Sequence, residues 1–346
     1  MLTAKQNMLE TIRGGNPDRF VNNFEGLQIL FHPFLLTNPQ PGKGDPDVKN
    51  NWGVTMSFPA HVPGAFPLHS HDAIVVQDIE NWKDYVKAPS LQFSDEVWAQ
   101  AKAMYDNADD NLALKATFIA PGLFEQTHYL CEMSRALEYY ITDPDEMKDM
   151  IKLLKDWSLE MAEGICKHLK PEVIFQHDDW GSEISTFLRP EMHAEFFLDA
   201  YKEIFGYYKK NGVEAIILHN DSYSATLVPY MIEMGIDVWQ GPMASNNIPE
   251  LIEKYGDQIT FMGGLDNKFV DFTGWTQEDA KNAVRKTLDA CGNKGFIPCI
   301  TQGGPGSLFE GAYKALWDEV DAYNIEKFGV RQEDLDANRL PMVTMF

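Results

Sequence analysis

The chain has 346 residues, 44% of them hydrophobic and 12% aromatic, enough to bury a large core as one big α/β domain or two modest ones. Its formal net charge of −23, with only seven arginines, repels phosphate backbones and anionic lipids and argues against nucleic acid and membrane partners. No apolar run approaches the roughly 20 residues of a membrane span, and four cysteines without CxxC spacing (Cys131, Cys166, Cys291, Cys299) read as free thiols of a cytoplasmic protein.

Residues 3–13 predict a short helix ended by Gly14, Gly15 and Pro17, without the apolar core of a signal peptide. Residues 20–90 show short strand-like pieces and no helical period. "NNWGVTMSFPAHVPGAFPLHSHDAIVV" is rich in Pro, Gly and His, and its His61, His69 and His71 would either cap a site or face water. A helical turn in "IENWKDYVKAPS" and a helix near 94–106 follow.

From residue 112 the chain alternates. "ALKATFIA" predicts a strand, then a helix near 126–140, then a helix opened by Thr142-Asp143-Pro144-Asp145 and running to about His168. "EVIFQHDD" and a helix at 191–210 come next, then "AIILHND" with a helix at 225–234, and "DVWQG" with a helix at 249–255. "ITFMGGLD", a helix at 276–290, "GFIPCIT" and a helix at 309–328 complete the series. Such alternation predicts parallel strands joined by right-handed crossovers. No GxGxxG turn supports dinucleotide binding, and a closed (β/α)8 TIM barrel suits the count. We expect one domain over 1–346, with an N-terminal extension and the first barrel elements in 1–110 and regular barrel units in 111–330.

The strands share a grammar: an apolar body, then polar residues at the C-terminal end. "VIF" ends in Gln176, His177, Asp178 and Asp179, "IIL" in His219, Asn220 and Asp221, "VW" in Gln240, "FMGG" in Asp266, and "FIP" in Cys299 and Thr301. In a parallel barrel these ends converge on the face where such enzymes place their chemistry. Each has a plainer reading. Asp221 or Asp266 would serve as the N-cap of the next helix, His177 as part of a structural hydrogen-bonded cluster, and Cys299 as a small core residue. "TQGGPGS" at 301–307 lacks the Gly-Lys-Ser/Thr ending of a phosphate loop and reads as a βα loop.

The order "DDWGSEISTFLRPEMHAEFFLDAYKEIF", "LHNDSYSATLVPYMIEMGIDVWQGP", "GDQITFMGGLD" resembles the uroporphyrinogen decarboxylase superfamily, as does the opening "LETIRGGNPDRF". The resemblance covers nearly the whole chain and implies a single (β/α)8 barrel with an N-terminal extension partly covering its mouth. The haem-synthesis decarboxylases carry an Arg-Gln-Ala-Gly-Arg-Tyr segment that holds substrate carboxylates. Here the first 100 residues contain only Arg13 and Arg19, and residues 298–307 read "PCITQGGPGS" where those enzymes have Gly-His-Gly.

The corrinoid-dependent methyltransferase branch resembles the chain better. Several of its members bind zinc through His-x-Cys and a later Cys. The resemblance implies metal ligands His219, Asp221 and Cys299, with Asp221 where a thiolate would stand, and that change favours oxygen over sulfur substrates. It implies transfer of a methyl group from a small methylated compound, best a methoxylated aromatic, to the cobalt of a partner corrinoid protein. In that reading His177, Asp178 and Asp179 do acid–base work, and Gln240, Asp266 and Thr301 bind substrate. A homo-oligomer is compatible with the sequence. Porphyrinogen decarboxylation and a non-catalytic barrel that binds a ligand or a corrinoid protein are the rival readings.

Overall fold

The computed structural model describes residues 1–62, 64–302 and 308–342. In chain order the strands are β1 (Leu27–Leu30), the short β2 (Val48–Lys49), β3 (Thr55–Ser57) and β4 (Phe66–Pro67), then β5 (Leu114–Ile119), β6 (Val173–His177), β7 (Ala215–His219), β8 (Val238–Gln240), β9 (Thr260–Leu265) and β10 (Phe296–Ile300). The order β1-β5-β6-β7-β8-β9-β10 makes one curled sheet, parallel at every pairing. These strands are nearly continuous apolar runs because helices cover their outer face and packed side chains fill the inner one. "AIILH", "TFMGGL" and "FIPCI" are buried at every position.

The chain therefore forms the expected α/β barrel. Among the described residues it has seven strands in that sheet where eight were counted from the sequence. β1 pairs directly with β5, so residues 31–113 add no barrel strand. They instead form the antiparallel β2–β3–β4 sheet and short helices, and this N-terminal extension covers part of the mouth. The seam between β10 and β1 is bridged by Asn23, which stands in the left-handed region at φ +50°. Its backbone N–H donates to the Pro298 carbonyl and its Oδ1 accepts from the Ile300 N–H, both at 3.0 Å.

The helices fall close to their predicted places: Ala4–Ile12, Asp95–Asp106, Pro144–His168, Pro190–Lys210, Ile248–Tyr255, Gln277–Cys291 and Ala312–Phe328. The helix expected at 126–140 is instead two, Leu123–Cys131 and Met133–Thr142. Glu132 breaks it, with φ +72° and a carboxylate that accepts the Ser134 and Arg135 N–H groups at 2.9 and 3.1 Å, capping the second helix. Residues 303–307 of the "TQGGPGS" loop lie outside the described residues. All four cysteines are free thiols. No helix among the described residues is long and apolar enough to cross a membrane.

Two buried histidines give the fold an acid limit. His193 packs between the Trp180 and Phe197 rings at centroid distances of 4.3 and 5.0 Å, and neither ring nitrogen has a hydrogen-bond partner among the described residues. His32 stacks on Phe34 with its Nε2 likewise unpartnered. Burial lowers the pKa of each to about 3. The unfolded chain takes up these protons near pH 6.5 and the folded chain does not, so stability is full above that pH and falls as the pH drops towards 3, by roughly 2 kcal/mol per histidine at pH 5. His193→Phe is expected to move the midpoint of acid unfolding to lower pH, followed by tryptophan fluorescence; an unchanged midpoint would contradict this.

Candidate active site at the barrel mouth

The polar ends of β6 and β7 lie side by side in register, with His177 opposite His219. Successive side chains of extended backbone point to opposite faces. His177, Asp179, His219 and Asp221 therefore share the inner face of the mouth, while Asp178 and Asn220 turn back into the packing behind the strands. The hydrogen bonds bear this out. The buried Asp178 carboxylate accepts from the backbone N–H groups of Phe124 and Glu125 (3.2 and 2.9 Å), from Trp180 Nε1 (2.7 Å) and from the Tyr201 hydroxyl (2.5 Å). It thereby caps the N-terminus of the Leu123–Cys131 helix from another strand. A Cβ at Gly122 would lie 2.2 Å from the Asp178 Cβ, so only glycine lets the helix start this close. Asn220 Oδ1 accepts from the Trp180 N–H (3.1 Å) and the Ser222 hydroxyl (2.6 Å).

On the inner face the His177 and His219 rings stack with centroids 4.5 Å apart and planes 28° apart. His177 Nδ1 lies 2.8 Å from Glu125 Oε2, and His219 Nδ1 is bonded to Gln240 Oε1. Gln240 is oriented by its own amide, which donates to the Ile300 carbonyl at 3.1 Å. Its oxygen therefore faces His219, whose Nδ1 carries the proton and whose Nε2 is left for other work. Asp179 stands before both rings, with Oδ2 at 4.0 Å from His177 Nε2 and Oδ1 at 3.9 Å from His219 Nε2. Its Oδ1 also accepts the Asp221 N–H at 3.1 Å.

Three carboxylates and two imidazoles so close together cannot all keep their ordinary proton affinities. Burial opposes charge on His177, but the carboxylates of Glu125 and Asp179 outweigh it and lift the pKa to about 10. Burial would raise Glu125, yet the His177 charge and hydrogen bond hold it below the usual carboxylate range. His219 is pushed down by burial and by the charge on His177. Asp221 is pushed up to about 8 by burial and by the Asp179 charge, and Asp178 to about 7 by burial and Glu125.

These groups open on a cavity of about 660 Å³ between the strand ends and the N-terminal extension. Its apolar walls include Trp52, Met56, Phe66, Phe118 and Tyr129, and its carboxylates are Glu125, Asp179, Asp221 and Asp271. No lysine or arginine lines it among the described residues. Asn38, Asn50, Asn267 and Gln302 supply neutral polar contacts.

Of the residues expected from the sequence, His177, Asp179, His219 and Asp221 meet here. Asp178 does not, and the others stand apart from the cavity. Cys299 is fully buried, and its sulfur lies 3.8 Å from the Gln240 amide nitrogen, so Gln240 separates it from His219. Gln240 reaches the site only through His219. Asp266 is buried away from the cavity, accepts the Ala244 N–H at 3.0 Å and lies 3.5 Å from Lys268 Nζ. Thr301 is buried, and its hydroxyl has no hydrogen-bond partner among the described residues. His61, His69 and His71 are exposed and none lines the cavity. Sequence reading missed Glu125, which sits on a helix one turn past a strand end, and the cavity residues of the extension.

A family model described as Uroporphyrinogen decarboxylase (URO-D) matches residues 49–323. A solved methyltransferase from Methanosarcina mazei shares the fold with a TM-score of 0.66 at 12% identity, over 93% of this chain and 99% of that one. A B12-independent methionine synthase from Shewanella sp. W3-18-1 gives a TM-score of 0.47 at 14% identity, over 71% of each chain. No curated protein matches the chain.

Proposed function

The chain belongs to the uroporphyrinogen decarboxylase family, and from that premise we propose that it is a methyltransferase, moving a methyl group from a small methoxylated aromatic compound to the cobalt of a partner corrinoid protein. The observation that carries this reading is the lining of the cavity. Aromatic and apolar walls without a lysine or arginine among the described residues suit a neutral aromatic ring. A porphyrinogen bearing eight carboxylates would instead meet Glu125, Asp179, Asp221 and Asp271 with no cation to pair them. Decarboxylation of that substrate is thereby disfavoured.

The reaction breaks the bond between the methyl carbon and the ether oxygen. The methyl carbon passes to reduced cobalt, the bonding pair stays on oxygen, and the departing phenolate takes a proton. Asp221, on the cavity wall and protonated up to about pH 8, is placed to donate that proton. Glu125 and Gln240 hold the two imidazoles in fixed orientations. The zinc that the family resemblance implies would be held by the imidazole and carboxylate groups of the cavity floor, and when bound it supplies Lewis acidity to the departing oxygen.

Incubating the protein with cob(I)alamin and a panel of aryl methyl ethers tests the reading. Free phenol from at least one ether is expected, with uroporphyrinogen left unconsumed. Loss of carboxyl groups from uroporphyrinogen, with no ether cleaved, would replace this reading with the decarboxylase one. Activity unchanged in His219→Ala would point to a site elsewhere.

A further inference from the structure

We propose that the barrel mouth binds one divalent first-row transition ion through Nε2 of His177, Nε2 of His219 and the carboxylate of Asp179, an N2O set with no sulfur ligand. One ligand atom from each of the three residues lies within 4.8 Å of the others. The separations of 4.0 and 3.9 Å between Asp179 oxygens and the two Nε2 atoms are too long for hydrogen bonds. They run to the two different oxygens of Asp179 and are somewhat wider than the roughly 3.4 Å between ligand atoms of a tetrahedral ion with bonds of about 2.1 Å, so the three side chains close slightly on the ion when it binds.

The surroundings are built for the same purpose. A metal-bound imidazole characteristically donates its other ring N–H to a carboxylate or carbonyl oxygen, which fixes the ring and leaves the second nitrogen's lone pair towards the ion. Both rings have that hydrogen-bond arrangement here, His177 on Glu125 and His219 on Gln240, Gln240 is itself anchored to the Ile300 carbonyl, and at His177 the ion takes the place of the Nε2 proton. The thiol of Cys299 is on the far side of Gln240, 3.8 Å from its amide nitrogen, so it cannot join the set while Gln240 holds His219. Two imidazoles and one carboxylate suit borderline ions such as Fe²⁺, Co²⁺ or Zn²⁺ and leave positions open for an oxygen ligand on the cavity side. Binding is independent of the reaction, so the inference stands or falls separately from methyl transfer.

The test strips the full chain with a chelator, reloads it with Co²⁺, and reads stoichiometry by elemental analysis and ligand type by electronic spectrum. Wild type is expected to take up one Co²⁺ per chain without a thiolate-to-cobalt charge-transfer band. Cys299→Ser is expected to keep both the ion and the spectrum, whereas His177→Ala and Asp179→Asn lose the ion. Gln240→Leu, which removes the His219 acceptor, is expected to weaken Co²⁺ binding roughly 10–100-fold. Since His177→Ala leaves the buried Glu125 carboxylate without its partner, circular dichroism checks each fold, and the half-exposed Asp179 supplies the variant least able to disturb it. Wild type that binds neither Co²⁺ nor Zn²⁺ would overturn the proposal. So would a thiolate band, loss of the ion in Cys299→Ser, or its retention in folded Asp179→Asn.

Discussion

Asp178→Ala is expected to destabilise the protein by about 3–5 kcal/mol, because each buried donor left without an acceptor costs roughly 1–3 kcal/mol and four donors converge on this carboxylate. The lost acceptor holds the first turn of the Leu123–Cys131 helix, which carries Glu125 and through it the His177 ring. Asp178→Asn is expected to recover only part of the loss, since its oxygen can take the three donors on Oδ2 while its NH2 opposes the Glu125 N–H. Urea unfolding of both variants measures the effect. A loss under about 1 kcal/mol would show that Asp178 is not the anchor described here.

Asp179→Asn is expected to do the opposite, removing activity while leaving the fold. Asp179 is half-exposed, and its carboxylate stands before the Nε2 atoms of both histidines. Losing it is expected to lower methyl transfer by a factor of roughly 10²–10⁴, because the carboxylate that faces both Nε2 atoms and holds the Asp221 N–H is gone. The unfolding free energy should stay within about 1 kcal/mol of wild type, since the amide oxygen of asparagine can still accept the Asp221 N–H. Equal losses of activity and stability in this variant would assign Asp179 a structural role.

These two neighbours show how much of the site the sequence carried. "QHDD" and "LHND" both announce polar strand ends, and the barrel face they share follows from the alternation of strands and helices. The rule that put His219 and Asp221 on one face also selects His177 and Asp179 and sends Asp178 behind. What was missing was the register of His177 against His219, a long-range property. Cys299 matched a family position in sequence, but the Gln240 side chain that separates it from His219 comes from another strand. Glu125 was invisible because it lies on a helix, and a lone glutamate in "FEQTHYL" has no strand-end signature. The aromatic walls come partly from the first third of the chain, where turns and short pairings give no period to read. The count of eight strands failed for the same reason: the irregular first third was expected to supply the remaining strands, but among the described residues β1 joins β5 directly and Asn23 bridges β10 to the chain just before β1.

Transfer of a methyl group from an ether oxygen to cobalt is tested most directly by a single-turnover spectrum. Wild-type protein is mixed anaerobically with cob(I)alamin and excess of an aryl methyl ether that fits the cavity, and the cobalamin absorption is followed. Conversion of cob(I)alamin to methylcobalamin is expected in step with release of one equivalent of phenol, at least 100-fold slower with folded Asp179→Asn. An unchanged cob(I)alamin spectrum across the ether panel, with wild-type protein folded and metal-loaded, would contradict it.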